Sequence, residues 1–341
     1  MTETFSPRKL LLPLVPLYRL ALLLRELRLG SRLEPVKRLR WPVVSIGNLS
    51  TGGAGKTPLT IALAKALERR GFYVDVLSRG YGRQSRNPAR VRPDGTAEEF
   101  GDEPLLIARE AGVPVYVAPQ RFEACSLAEA DSPLAGQDGQ PIAVHLLDDG
   151  FQHRQLGRDV DILLLNGRDW QDSLLPAGNL REPLRAIHRA GVIAIPADEA
   201  ELETELRTWG WKGPVWRLRR SMEVPAVDGP VAAFCGIAHP GQFFDGLEAA
   251  GLRLAARIAF PDHHRYSAAD LDRLTAAARA AGATVLITTE KDLVRLGKLA
   301  AAFPESLALK AARLHVEINN ESAAMDWLAG RLAPRPADPP L

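Results

Sequence analysis

The sequence predicts an α/β protein. Its main body is a doubly wound parallel sheet, followed by a second, smaller α/β domain and preceded by a helix lying at a membrane interface. Three observations lead there. Short apolar, β-branched runs alternate with helical patterns over much of the chain, the order that right-handed βαβ crossovers require. A glycine-rich loop joins the first of those strands to the first of those helices. The first forty residues combine leucine with arginine in a way that nothing later in the chain repeats.

In chain order, Lys9 to Gly30 reads KLLLPLVPLYRLALLLRELRLG. Its apolar run, Leu10 to Tyr18, is too short for a bilayer span, which needs about 20 residues. Pro13 and Pro16 break its start, and no small-residue cleavage site follows, so no signal peptide is expected. From Leu17 to Leu29 a helix places Leu17, Leu20, Leu24 and Leu27 on one face and Arg19, Arg25 and Arg28 off it. That pattern suits a helix lying among anionic headgroups, and also a helix packed on the protein's own core. Residues 1–34 are assigned to this segment.

The stretch Val43 to Pro58 follows: an apolar strand, then Ser50-Thr51-Gly52-Gly53-Ala54-Gly55-Lys56-Thr57, then a helical pattern over Leu59–Arg70. Strand, glycine-rich loop and Gly-Lys-Thr at a helix start are the context of a nucleotide-phosphate loop. Backbone N–H groups would surround phosphate oxygens, Lys56 would reach the terminal phosphates, and the Thr57 hydroxyl would hold Mg²⁺. The general pattern has Gly where this chain has Ser50. The main body is therefore read as a P-loop NTPase-like sheet over residues 35–215. Its further strands are Tyr73–Leu77, Val113–Val117, Ile142–Leu147, Val160–Leu165 and Val192–Ile195, with a helix over Glu103–Ala111.

Trp211–Gly229, rich in Arg, Pro and Gly, reads as a linker. The smaller domain, 216–330 with that linker, holds strands at Val231–Cys235, Leu254–Phe260 and Thr284–Thr288 and helices near Gln242–Ala250 and Ala268–Ala281. The Pro-rich end, 331–341, reads as disordered.

Composition narrows the partners. The net charge is +2, yet residues 8–40 hold nine basic and two acidic side chains, leaving the rest of the chain at −5. Basicity confined to the N-terminus argues for an anionic surface there and against a nucleic-acid-binding body. No obligate protein partner is expected. Cys125 and Cys235 lack metal-site spacing and disulfide partners, so they read as core residues of a reducing compartment.

Charged segments end several strands. Asp148-Asp149-Gly150 follows an apolar run, where phosphate-loop enzymes place a Mg²⁺ carboxylate and where α/β turns commonly put Asp-Gly. Gly101-Asp102-Glu103-Pro104 opens a helix, which an acidic cap alone explains. Asp262-His263-His264 ends a strand, and adjacent histidines on extended chain point apart, so they form no metal pair. Ser78-Arg79-Gly80-Tyr81-Gly82-Arg83 sets two arginines and two glycines after a strand, suited to gripping an anion, and the loop Leu175–Pro183 places no local structural demand on its Arg181; ordinary loop chemistry accounts for each as well.

Taken in order, GN-x-x-x-GG-x-GKTP, SRGYG, GDEP, DDGFQH, LP-x-G-x-LREP, F-x-DH and TEKD resemble the tetraacyldisaccharide 4'-kinases, the lipid A 4'-kinases of Gram-negative bacteria, from Trp41 to Asp292. The resemblance implies transfer of the ATP γ-phosphoryl group to the 4'-hydroxyl of a tetraacylated glucosamine disaccharide 1-phosphate. It also implies peripheral attachment to the cytoplasmic face of the inner membrane. Carried over by motif position, Ser50–Thr57 binds ATP, and Asp102 works with His263 in deprotonating the sugar hydroxyl. Thr57, Glu103, Asp148 and Asp149 are metal candidates, and Arg79, Tyr81 and Arg181 are acceptor-binding candidates. Asp102 and His263 fall in different blocks, so domain closure is expected to assemble the site. The rival reading is a P-loop NTPase switch or metal-delivery ATPase with no lipid acceptor.

Overall fold

The computed structural model describes residues 7–31, 36–133 and 142–332. Residues 1–6 and 32–34 of the N-terminal segment and 333–341 of the Pro-rich end lie outside the described residues, whereas Arg331 and Leu332, expected to be disordered, close the last helix, with Leu332 buried in the core. Among the described residues twelve strands form the sheet: β1 (Val43–Asn48), β2 (Tyr73–Ser78), β3 (Ala89–Arg90), β4 (Val115–Val117), β5 (Ala143–Asp148), β6 (Val160–Leu164), β7 (Val192–Pro196), β8 (Val215–Glu223), β9 (Val231–Cys235), β10 (Leu254–Ala259), β11 (Val285–Thr289) and β12 (Ala308–Ile318). Their order across the sheet is β10-β9-β11-β12-β8-β7-β6-β1-β5-β2-β4-β3. Neighbours are parallel except at β8/β12 and β3/β4.

The helices are α1 (Val15–Gly30), α2 (Lys56–Arg69), α3 (Ala97–Phe100), α4 (Asp102–Ala111), α5 (Arg121–Asp131), α6 (Gly167–Gln171), α7 (Ala200–Thr208), α8 (Pro240–Ala249), α9 (Ala268–Ala280), α10 (Glu290–Leu296) and α11 (Glu321–Leu332). They cover both faces, as period-two alternation in the strands dictates. Val44 and Ile46 of β1 face Leu59, Leu63 and Leu67 of α2, while Val43, Leu77 and Leu147 face Ala124, Cys125 and Ala128 of α5. In the other half, Phe234 and Leu286 meet Leu271 and Leu274 of α9, whereas Ala233 and Ile287 meet Phe243 and Leu247 of α8. Each fully buried leucine among these contributes about 1.5–3 kcal/mol over its exposed state.

Two differences from the sequence reading matter. The stretch expected to be a linker carries β8, whose Trp216 and Leu218 point into the core while Arg217 and Arg219 point out. β8 pairs parallel with β7 and antiparallel with β12, so one sheet runs unbroken through both halves. The last helix, α11, returns to the main body. There Met325, Leu328 and Leu332 join the core beneath α2, and Glu321 pairs with Arg69 at 2.7 Å.

Among the described residues no helix is long and apolar enough to cross a membrane. α1 lies against the loop of residues 175–183 through Val15, Tyr18 and Leu22, and the Tyr18 hydroxyl donates to the carbonyl of Arg181 at 2.9 Å. Its opposite face is bare, with Leu17 67% and Leu27 60% exposed.

Candidate active site

At the carboxyl end of β1 the chain turns through Ser50–Gly55 into α2. Gly52 and Gly55 take φ of 113° and 87°, in the left-handed region. A Cβ on Gly55 would also lie 2.9 Å from Nη2 of Arg220, whose guanidinium donates to the carbonyl of Ala54, so glycine is required there twice over. Asn48, the last residue of β1, organises the loop. Its Oδ1 accepts from Lys56 Nζ at 3.0 Å and from Arg181 Nη2 at 2.6 Å, and its Nδ2 donates to Ser50 Oγ at 2.9 Å. The Thr51 amide donates to the Asn179 carbonyl at 2.8 Å. Gly53 and Ala54 complete the loop's rim on the cleft, and Thr57 is buried at the first turn of α2.

β5, next to β1, brings two carboxylates to the same end of the sheet. Asp148, its last residue, is 1% exposed and accepts from the Thr60 hydroxyl at 3.2 Å. Burial, with Glu103 and Asp149 nearby, pushes its carboxyl up to about 7. Asp149 departs from the strand at φ 50°, an uncommon conformation for a residue with a side chain. Burial opposes its charge, but Lys56 at 3.5 Å and the two-pronged Arg181 at 3.0 and 3.2 Å outweigh that and hold it below the usual carboxylate range. Lys291, the leading influence on Glu103, donates to it at 2.6 Å and lowers its pKa.

Asp102 stands at the first position of α4, where the helix dipole favours an anion. It is 6% exposed, and its Oδ2 lies 3.0 Å from Nδ1 of His263 and 2.7 Å from Nε of Arg295. Burial works against its charge; the His263 hydrogen bond and Arg295 prevail and hold it far below its ordinary value. His263 sits at φ 57°, and its bond to Asp102 raises its pKa. Arg295 is fixed from behind by Asp292, at 3.0 Å, which also accepts from the Tyr266 hydroxyl and the Gly236 amide. The Tyr81 ring packs edge-on against His263 with centroids 5.4 Å apart.

Thr51–Thr57, Glu103, Asp148, Asp149, Arg181, His263 and Lys291 open on one cleft of about 960 Å³ that also takes in Arg25 and Leu29 of α1, while Asn48, Asp102 and Arg295 stand behind its wall. It brings the glycine-rich loop, Glu103, Asp148, Asp149, Arg79, Tyr81, Arg181 and His263 to one space, with Asp102 immediately behind His263. Asp102 and His263 are already paired, so no closure is needed to join them. His264 points elsewhere, to Asp270 at 3.1 Å near the start of α9.

Sequence reasoning missed Arg295, Arg121 and Arg220. Arg295 could have been found from its i, i+4 spacing with Lys291, which puts both cations on one face of α10. Arg121 is 3% exposed and donates to the carbonyls of Asp148 and Asp149. Its Nε and Nη1 have no protein partner among the described residues. Nothing local marks it or Arg220, because both reach the site from distant elements.

Comparison with known proteins places the chain in a family. A sequence model of tetraacyldisaccharide-1-P 4'-kinases matches residues 7–333. The tetraacyldisaccharide 4'-kinase of Koribacter versatilis is 41% identical over 325 residues, 92% of this chain and 96% of that protein. That of Polaromonas naphthalenivorans is 37% identical over 341 residues, covering 96% and 91% of the two chains. A crystal structure of the "apo" form of LpxK from Aquifex aeolicus in complex with ATP superposes with a TM-score of 0.74 at 32% identity, covering 96% of this chain and all of that one. With a family match along nearly its whole length and such relatives, the chain belongs to the tetraacyldisaccharide-1-P 4'-kinase family.

Proposed function

We propose that this cleft transfers the γ-phosphoryl group of ATP to the 4'-hydroxyl of a tetraacylated glucosamine disaccharide 1-phosphate, a lipid A precursor. The observation that carries the proposal is the His263–Asp102 pair, 3.0 Å apart, on the wall of the same cleft as Lys56. Phosphoryl transfer asks a protein for positioning, charge neutralisation and a place for the hydroxyl proton. In this reading Ser50–Thr57 forms a P-loop-like cradle for the phosphates, with Lys56 on the terminal ones. Nδ1–H of His263 donates to Asp102, leaving Nε2 to take the 4'-hydroxyl proton, which is worth about 10²–10⁴ in rate. Arg295 keeps Asp102 ionised, so the dyad keeps that tautomer.

The donors near the loop are all oxygens: the Thr57 hydroxyl and the carboxylates of Asp148, Glu103 and Asp149. Such a set suits Mg²⁺. The crowding that raises the Asp148 pKa would be relieved by a cation there. When bound, the ion neutralises charge developing on the transferred phosphoryl group. Asp149 takes a supporting part, steering Lys56 and Arg181. Tyr81 packs against His263 and Arg79 lines the same cleft, both as contacts for the acceptor, while Arg181 joins Asp149 to Asn48 and so shapes the site indirectly.

The bare leucine face of α1 supports a peripheral position on the cytoplasmic face of the inner membrane, with arginines beside it for anionic headgroups. Arg25 and Leu29 of the same helix line the cleft, so a lipid-borne acceptor would reach it from that side. The test is incubation with ATP, Mg²⁺ and the disaccharide 1-phosphate in detergent. Appearance of a lipid carrying a second phosphate is expected. Release of inorganic phosphate with the lipid unchanged would replace this reading with that of an NTPase without a lipid acceptor.

A further inference from the structure

On the face of the sheet opposite α2, away from the cleft, lies a second chemical cluster. The register of β2 with β5 sets Asp75 beside His145, and α5 packs over both. Cys125 and Glu129 stand four residues apart on α5, hence on one face of it. His145 Nε2 lies 3.2 Å from Cys125 Sγ and 3.5 Å from Glu129 Oε1, and Sγ lies 3.9 Å from that oxygen. Tetrahedral zinc, with bonds of about 2.0–2.3 Å, sets its ligands about 3.3–3.7 Å apart, so these three atoms span close to one face of such a tetrahedron.

The surroundings complete the pattern. Nδ1 of His145 lies 2.7 Å from Asp75 Oδ1, the carboxylate–histidine support that fixes which nitrogen faces a metal. His145, Cys125 and Asp75 are fully buried, whereas the Glu129 side chain is 25% exposed and opens the cluster to solvent. Sulfur, imidazole and a single carboxylate form a borderline-soft set, which favours zinc over magnesium. We propose that Cys125, Glu129 and His145 bind one zinc ion, with solvent in the fourth position. Coordination requires the thiolate and a bare Nε2, so the thiol proton, and any proton on Nε2, leave to water. The ion would pin α5 to β5. Since α5 begins at Arg121, whose guanidinium reaches the carbonyls of Asp148 and Asp149, the same staple would steady one wall of the cleft.

The test uses tag-free, full-length protein freed of metal with a chelator and held in saturating Mg²⁺, so that oxygen sites are occupied. Titration with Zn²⁺ alone should show one tight equivalent, and Co²⁺ alone should give a thiolate-to-cobalt charge-transfer band. Cys125→Ala should abolish the band, Cys235→Ala should keep it, and Glu129→Gln, which preserves shape at a solvent-facing position, should weaken zinc at least about 10-fold. Circular dichroism verifies the fold of each variant. Failure of folded wild type to take up zinc, a band that survives Cys125→Ala, or unchanged affinity in Glu129→Gln would each overturn the proposal.

Discussion

Among single side chains, Arg295 and Asp102 make the sharpest test of how charge is held in this site. Both are under a tenth exposed, and removing one partner of such a pair strands the other. Arg295→Met is expected to cost about 3 kcal/mol by urea denaturation at neutral pH, less if His263 compensates in part. Asp102 has a lower pKa folded than unfolded, so the stability it contributes is complete above its ordinary value near 4 and fades on acidification. Wild type and variant should therefore converge as pH falls; a constant gap would show the loss to be packing alone. The catalytic side of the same pair makes a second prediction. His263→Ala and Asp102→Asn should each lower kcat about 10²–10⁴-fold with the KM for ATP nearly unchanged. A neutral His263 is the base and Asp102 raises its pKa, so activity should fail on the acid side from above 6.5, and the residual activity of Asp102→Asn should persist to lower pH. The pair was legible in the sequence only through the ordered motifs, because a lone Asp at a helix start and a lone Asp-His carry no geometry. The spacing of Arg295 from Lys291 marks it as a cation on the same helix face, but its role was not legible, since that depends on a residue 193 positions away.

Elements were legible to the degree that their patterns reflect burial. β1, β5 and β6 are buried on both sides and read as largely apolar runs; for β5 and β6 observed and expected limits differ by no more than one residue. β8 and β12 have one wet face, so arginine, lysine and histidine interleave with Trp216, Leu218, Val316 and Ile318, and the flanking Pro and Gly outweighed that alternation. α2 starts three residues earlier than expected because the Gly-Lys-Thr of the loop already forms its first turn. α1 fits its expected pattern and allows a prediction of its own. Leu17, Leu20 and Leu24 are each at least half exposed, so replacing all three with Ser removes apolar surface that the folded chain does not use. Flotation with anionic vesicles should show partitioning reduced at least about 100-fold, given about 1.5–3 kcal/mol per fully buried leucine, with the melting temperature unchanged. Undiminished flotation would mean that the exposed leucines are not what meets the membrane.

For the molecule as a whole, the unbroken sheet changes how two halves of such a chain should behave. Residues 35–215 and 216–330 were expected as separate domains, and their separation would make unfolding a two-step process. β8 carries Trp216 into the main core, and α11 brings Trp327 back to meet it, with ring centroids 6.1 Å apart. β12 lies between these elements and the strands β11, β9 and β10. Unfolding the smaller half alone would strip β8 of its antiparallel partner and withdraw the element that leads into α11. We therefore propose that the halves unfold together. The six tryptophans, Trp41, Trp170, Trp209, Trp211, Trp216 and Trp327, offer a way to see it, because none lies in 217–326. Fluorescence reports the main body and its returning helix, whereas far-ultraviolet circular dichroism reports every helix and strand. In urea the two signals should share one midpoint. A loss of ellipticity with no matching fluorescence change would mean that 217–326 opens by itself, and the shared sheet would then be a hinge across which the His263 side of the cleft separates from the Lys56 side.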